Sequence, residues 1–345
     1  MELMTDMPIN NNNNINIDYS DYFDNTNNIN NTNNANNTNN TDYIDINSYN
    51  RNKKTRIRKR RKRLRFDAAL LFLLPGFAGF FIFYIWPFII SIGYSFVDKP
   101  VNGVFVGLKN YMDLLINKPY NEPYLLGLKN MLIFIGMSVP TGMALSLLVA
   151  MLVNKAGKHR DAFALIFLIP LVIPSGSIVF FWKAMFANDG YVNYIITNLG
   201  ASPVRWLETD TARYVISLIF IWKNMGYNMV LFITGLNNIP KEYYEASAVD
   251  GGGPLYVFFR ITLPSLIPTI VLVIIMSIIN SFKVFKEIFL ITGNYQQSIY
   301  TLQHFMNNNF FSLNYQRLTT ATCLLVLAIG VLVSLLLRFE RRAME

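Results

Sequence analysis

The sequence predicts an all-α membrane protein: six transmembrane helices, a cytoplasmic helix–turn–helix connection between the fourth and fifth, and a disordered N-terminal arm. Three observations carry that expectation. Apolar residues make up 52% of the 345-residue chain and charged residues only 15%, against roughly 25% charged in globular chains. Residues 1–65 are almost wholly polar, so the remainder holds nearly all the hydrophobicity. Beyond them lie six long stretches with at most one charge each, and about 20 apolar residues suffice for a helix to cross the hydrocarbon core. Barrel strands would be half as long and would alternate in polarity.

The arm comes first. Residues 1–50 hold 19 Asn, seven acidic residues and neither Lys nor Arg. Such a segment buries too little apolar surface to offset its ordering entropy, so disorder is expected. It lacks the apolar core of a secretory signal. Residues 51–65 reverse the sign, with eleven Lys or Arg and no acid. Standing directly before an apolar stretch, this run reads as a topological anchor against anionic lipid rather than a nucleic-acid site.

The spans follow from the charge-free stretches Ala68–Val97, Asn130–Asn154, Ala162–Trp182, Tyr214–Pro240 (interrupted at Lys223), Ile261–Phe282 and Leu318–Leu337. They place crossings at about 68–97, 130–154, 162–187, 214–236, 264–291 and 318–338, within a membrane domain over 66–340. Prolines inside several of them, Pro140, Pro170 and Pro174 included, predict kinked helices around a cavity. With the basic run inside, inside segments carry 19 Lys or Arg and outside loops 7. Both termini are then cytoplasmic, with 98–129, 188–213 and 292–317 outside.

The connection at 239–264 is unusual. Pro240 suits a helix start, Lys241–Val249 reads as helix, Gly251, Gly252 and Gly253 break it, and Pro254 opens a second short helix. Tyr243, Tyr244, Tyr256, Phe258 and Phe259 stud this elbow. By pattern alone it fits a protein-docking surface and an interfacial helix resting on lipid about equally.

Several chemistries are excluded. One cysteine, Cys323, and two distant histidines, His159 and His304, leave no disulfide framework and no Cys-based metal site. No phosphate-binding loop with a Gly-Lys-Ser/Thr ending occurs, so the chain is not expected to hydrolyse nucleotide itself.

The elbow carries a resemblance. Glu245-Ala246-Ser247, three residues, Gly251, nine residues, Ile261-Thr262-Leu263-Pro264 resembles the "EAA" loop of ATP-binding-cassette (ABC) importer permeases. Ser247 replaces the second alanine, and Asp250 fits the carbohydrate branch. Leu73-Leu74-Pro75, Trp86-Pro87, Phe105–Tyr111, Asn224–Met229 and Gly235-Leu236 resemble other segments of maltose-type and glycerol-phosphate-type permeases. The string Thr292-Gly293-Asn294-Tyr295-Gln296 departs from the family's glycine-rich ending of the fifth span, and the Asn-rich arm has no family counterpart.

The resemblance implies a non-enzymatic permease subunit in a bacterial inner membrane, carrying a sugar, polyol or sugar phosphate. It implies a second permease subunit in a heterodimer, two copies of a cytoplasmic ATPase that consumes the ATP, and an extracellular or periplasmic solute-binding protein. Membrane lipid surrounds it; no cofactor, metal or nucleic acid is expected. The elbow residues Glu245, Ala246, Ser247, Asp250, Gly251, Ile261, Leu263 and Pro264 would couple to the ATPase.

A solute path needs polar groups at membrane depth, and Lys223, Asn224 and Asn228 in the fourth span with Asn280, Lys283 and Glu287 in the fifth supply them. The last three share one helical face by their spacing. Inter-helix hydrogen bonding and lysine snorkelling are the structural alternatives for the same residues. A non-sugar cargo (amino acid, phosphate or oxyanion) and a membrane-embedded enzyme are the competing functions. The absence of clustered His, Cys or paired carboxylates argues against the enzyme.

Overall fold

A computed structural model describes residues 71–293 and 296–344. The expectations for the Asn-rich arm and the basic run, and the departure at Asn294 and Tyr295, lie outside the described residues. The chain divides into two units, Met1–Gly76 and Phe77–Glu345. Only 71–76 of the first is described, and the packing below belongs to the second.

The described residues are mostly helical. Five helices are long and apolar enough to cross a membrane: α1 (Leu71–Tyr94), α2 (Glu122–Asn154), α5 (Ala212–Asn237), α7 (Ile267–Thr292) and the C-terminal α9 (Tyr315–Met344). A bent pair makes a sixth candidate crossing, with α3 (Arg160–Val172) and α4 (Ser175–Phe186) as its main helices. Between crossings lie α6 (Lys241–Val249) and α8 (Leu302–Phe311). The protein is thus a multi-pass membrane protein.

Two crossings differ from expectation. α2 begins at Glu122 rather than near 130, with proline in its first turn. Lys129 does not end it, because a charge near a span end is compatible with continuing helix. The crossing expected at 162–187 is not straight. Its two halves bend by 92° at Ile173-Pro174. Ile173 is extended (φ −67, ψ 130), the geometry that a following proline ring favours by crowding the helical one. Pro174 itself is extended at ψ 138, and a new helix starts at Ser175.

α5 is the central helix. Its most apolar window is 56% buried, whereas that of α1 is 0% buried. α2 and α3 both pack along α5. Toward one end, Phe134, Ile178, Val215, Ile219, Phe220 and Ile288 form a shared core. Toward the other, Ala150, Met229, Phe232, Ile233 and Val273 form a second. Gly226 permits the close approach of α3, since a Cβ there would overlap the carbonyl of Phe167.

Two polar devices tie loops to this frame. Asn130 of α2 donates to the carbonyls of Gln297 (2.6 Å) and Tyr300 (2.9 Å). His304 lies buried in the first turn of α8, where its Nδ1 accepts from the Thr301 backbone N–H at 3.2 Å and lies 2.9 Å from the Thr301 hydroxyl. This reciprocal capping satisfies donors that a helix start leaves open.

Candidate functional site

The end of α3 just before the break at Pro174, the middle of α5 and the second half of α7 line a cleft of about 260 Å³. It is lined by Lys223, Asn224, Asn280, Lys283 and Glu287 together with apolar Leu171, Ile219, Phe220 and Val284. Five of the six residues proposed from sequence for a solute path therefore meet at one place. They do so because α5 presents positions 220, 223 and 224, one helical turn, to the face of α7 that carries 280, 283, 284 and 287. A 3₁₀ turn at Phe282–Val284 interrupts α7 without moving its polar residues out of the cleft.

The cleft holds two hydrogen-bonded groups. In the first, the Lys223 ammonium and the Glu287 carboxylate pair at 2.5 Å. Ser175, the first residue of α4, donates its hydroxyl to the same carboxylate at 3.0 Å and lies 3.4 Å from Lys223 Nζ. Glu287 thus sits at the N-terminus of α4, where exposed backbone N–H groups favour an anion. Its side chain is 6% exposed and that of Lys223 24%. A carboxylate taken out of water is tolerated when paired and hydrogen-bonded. Ser175 was not among the residues proposed from sequence. The signal for it was the proline before it, which stands just ahead of a helix start in the middle of an apolar stretch.

In the second group, Asn224 donates to the Phe220 carbonyl at 2.8 Å and accepts from Asn280 Nδ2 at 3.3 Å. Asn280 Oδ1 in turn accepts from Lys283 Nζ at 3.1 Å. Asn280 and Lys283 keep exposed surface while Asn224 is buried. Amides and ammonium groups facing a cleft are suited to hydroxyl-rich or anionic solutes.

Asn228 is placed elsewhere. It is 3% exposed and donates to Ser277 of α7 at 3.2 Å, one turn further along α5 and outside the cleft. Its contact is the inter-helix hydrogen bond weighed as the structural alternative.

The elbow residues form a separate region. α6 ends in two bonds, from the Gly251 N–H to the Ala248 carbonyl (3.2 Å) and from the Gly252 N–H to the Ser247 carbonyl (2.8 Å). That is the Schellman arrangement, with Gly251 at φ +76 in the left-handed position. A Cβ at Gly252 would collide with Ser247. Pro254–Val257 then starts the second short helix. Tyr244 Oη lies 3.4 Å from Thr262 Oγ1 and links the two halves. Glu245, Ala246, Asp250 and Gly251 are exposed, Ser247 is buried, Ile261 and Leu263 are half-buried, and Pro264 is exposed. Tyr243, Val249, Leu255, Tyr256 and Phe259 add exposed apolar surface. Among the described residues no group of three or more His, Cys, Asp or Glu has metal-binding geometry.

Residues 131–344 match the family described as "Binding-protein-dependent transport system inner membrane component". The chain is similar to the trehalose/maltose transport system permease protein MalF of Thermococcus litoralis, at 30% identity over 71% of this chain and 82% of that one. It is similar to the arabinooligosaccharides transport system permease protein AraP of Bacillus subtilis, at 32% identity over 66% of this chain and 72% of that one. Among solved structures, a chain of a bacterial alginate ABC transporter in complex with its alginate pentasaccharide-bound periplasmic protein shares the fold. It aligns with a TM-score of 0.69 at 22% identity, over 81% of this chain and 96% of that one.

Proposed function

This chain belongs to the inner membrane components of binding-protein-dependent transport systems, and on that premise we propose that it is a permease subunit of an ABC importer for a sugar or a related polyol or sugar phosphate. Similarity to permeases named for maltose, trehalose and arabinooligosaccharides supports the cargo class. The observation that carries the reading is the polar cleft between α5 and α7, lined by Lys223, Asn224, Asn280, Lys283 and Glu287 within otherwise apolar crossings. Charged and amide groups at membrane depth are costly unless they serve a path or each other.

In this reading a second permease subunit completes the path, and a solute-binding protein delivers cargo from outside. Two copies of a cytoplasmic ATPase, which consume the ATP, grip the elbow at 239–264. The elbow suits a lever: its turn is closed by two backbone bonds around Gly251, and its outer face presents Glu245, Tyr243, Leu255 and Tyr256 to a partner. The termini lie inside, held there by the eleven positive charges of 51–65.

The test is uptake of labelled oligosaccharides in cells lacking this chain and in cells complemented with it, together with co-purification of the ATPase on the tagged chain. Uptake and ATPase retention restored by wild type, with retention weakened in Glu245→Ala, support the reading. Uptake that does not depend on the chain sinks it.

A further inference from the structure

We propose that the cargo is acidic, a carbohydrate or polyol bearing a carboxylate or phosphate, and that Lys283 is the group that meets this charge. The inference rests on the permease reading and narrows its substrate class. Two ammonium groups and one carboxylate line the cleft between α5 and α7. Lys223 is neutralised by Glu287, which also takes the Ser175 hydroxyl. Lys283 has no carboxylate partner among the described residues; its hydrogen bond goes to the neutral Asn280 amide. The cleft therefore carries one uncompensated positive charge.

That charge lies within the length of the α7 crossing rather than at its end. Lys283 is sixteen residues from the start of the 26-residue α7, which at 1.5 Å per residue puts it about 5 Å past the helix midpoint toward Thr292. Charged groups at such depth are found paired or facing a cavity, and Lys283 faces one. An ammonium with two donors left over, beside amides that bond hydroxyls, matches an anionic group on a hydroxyl-rich solute. A neutral sugar would leave the charge unmatched at the point of passage, and electrostatic mismatch is a source of discrimination. Glu287 does not repel such a cargo, because its charge is already matched by Lys223.

The test uses the whole transporter in its own cells, with the chain deleted and restored as wild type, Lys283→Gln or Lys283→Arg. Uptake is measured for labelled uronate oligosaccharides, polyol phosphates and neutral oligosaccharides, alongside membrane abundance and ATPase retention. Chain-dependent uptake of an acidic probe is expected. It should fall about tenfold in Lys283→Gln, the loss that follows from removing one charge-assisted hydrogen bond, and persist in Lys283→Arg. The uronate and phosphate arms distinguish the two acidic groups. Competition of wild-type uptake by unlabelled acidic but not neutral probes supports the proposal without any variant. Chain-dependent uptake confined to neutral probes overturns it while the permease reading stands, as does acidic uptake indifferent to Lys283→Gln. Loss of abundance or ATPase retention in Lys283→Gln, without acidic competition in wild type, assigns Lys283 to a subunit contact and also overturns it. Uptake of no probe in a chain-dependent manner overturns the carbohydrate permease reading itself.

Discussion

Glu287 is the one carboxylate in the central cleft, and its environment shows how a charge is kept inside a bilayer protein. Lys223 supplies the opposite charge and Ser175 a hydroxyl, and the start of α4 supplies a favourable dipole. Removing one partner leaves a buried charge uncompensated. Lys223→Met should destabilise the protein by about 3 kcal/mol, toward the lower end of the usual 3–5 kcal/mol because Lys223 retains some exposure. The double change Lys223→Met with Glu287→Leu should recover most of that loss. Melting temperatures of the purified transporter in detergent check this; a double variant as unstable as the single would contradict it. His304 supplies a pH dependence. Burial pushes its imidazole down to about 4 from the usual 6.5, opposed by a hydrogen bond with the Gly293 backbone. The folded state thus favours the neutral ring, whose contribution is whole above about pH 6.5. It is lost as the pH falls toward 4, on the order of 3 kcal/mol across that window. The fall in melting temperature between pH 7 and 4.5 should be visibly shallower in His304→Phe.

At the scale of elements, the break at Pro174 and the elbow at Gly251 decide the geometry. The break lets α4 aim its first turn at Glu287, which a straight crossing would not do. The elbow depends on a left-handed residue at the end of α6. Gly251→Val should raise the cost of that turn by about 1–2 kcal/mol or more, since a β-branched residue resists positive φ. We expect normal membrane abundance, weakened ATPase co-purification and loss of solute-stimulated ATP hydrolysis; wild-type coupling would reduce the elbow to a linker. Ser247 gives the converse case. Its hydroxyl is buried without a partner among the described residues. An unsatisfied buried polar atom is a cost, so Ser247→Ala should leave stability unchanged or raise it by up to about 1 kcal/mol. A clear drop in melting temperature would reveal a partner for the hydroxyl in the assembled transporter.

For the whole molecule, orientation is the testable quantity. The first crossing follows a strongly basic segment, and the loops beyond it differ little in charge, so the proposed topology rests on the N-terminal run. In a Cys323→Ala background, Ala201→Cys should react with an impermeant thiol reagent in intact cells and Asp250→Cys should not. The opposite pattern would invert the proposed arrangement and put the elbow out of reach of a cytoplasmic ATPase.

Length and apolarity by themselves pointed to a helical multi-pass membrane protein, because a bilayer imposes the same length requirement on every helix; five of the six expected stretches contain one long apolar helix each, and the sixth is a pair of helices bent by 92°. The elbow was legible for a local reason: a proline start, a glycine stop and a second proline act through the backbone of their own few residues. The Asn280, Lys283 and Glu287 face was also readable, being one helical repeat. Only the tertiary structure decided which polar residues share a cleft. Lys223 and Glu287 are 64 positions apart, and Ser175 and Glu287 112. Asn228 and Asn224, one turn apart on α5, part company for the same reason. The packing of α7 turns Asn224 to Asn280 in the cleft and Asn228 to Ser277 in the helix contact. A side chain's partner across a helix interface is set by the rotation and depth of both helices, and neither is written in the residues that surround it in sequence.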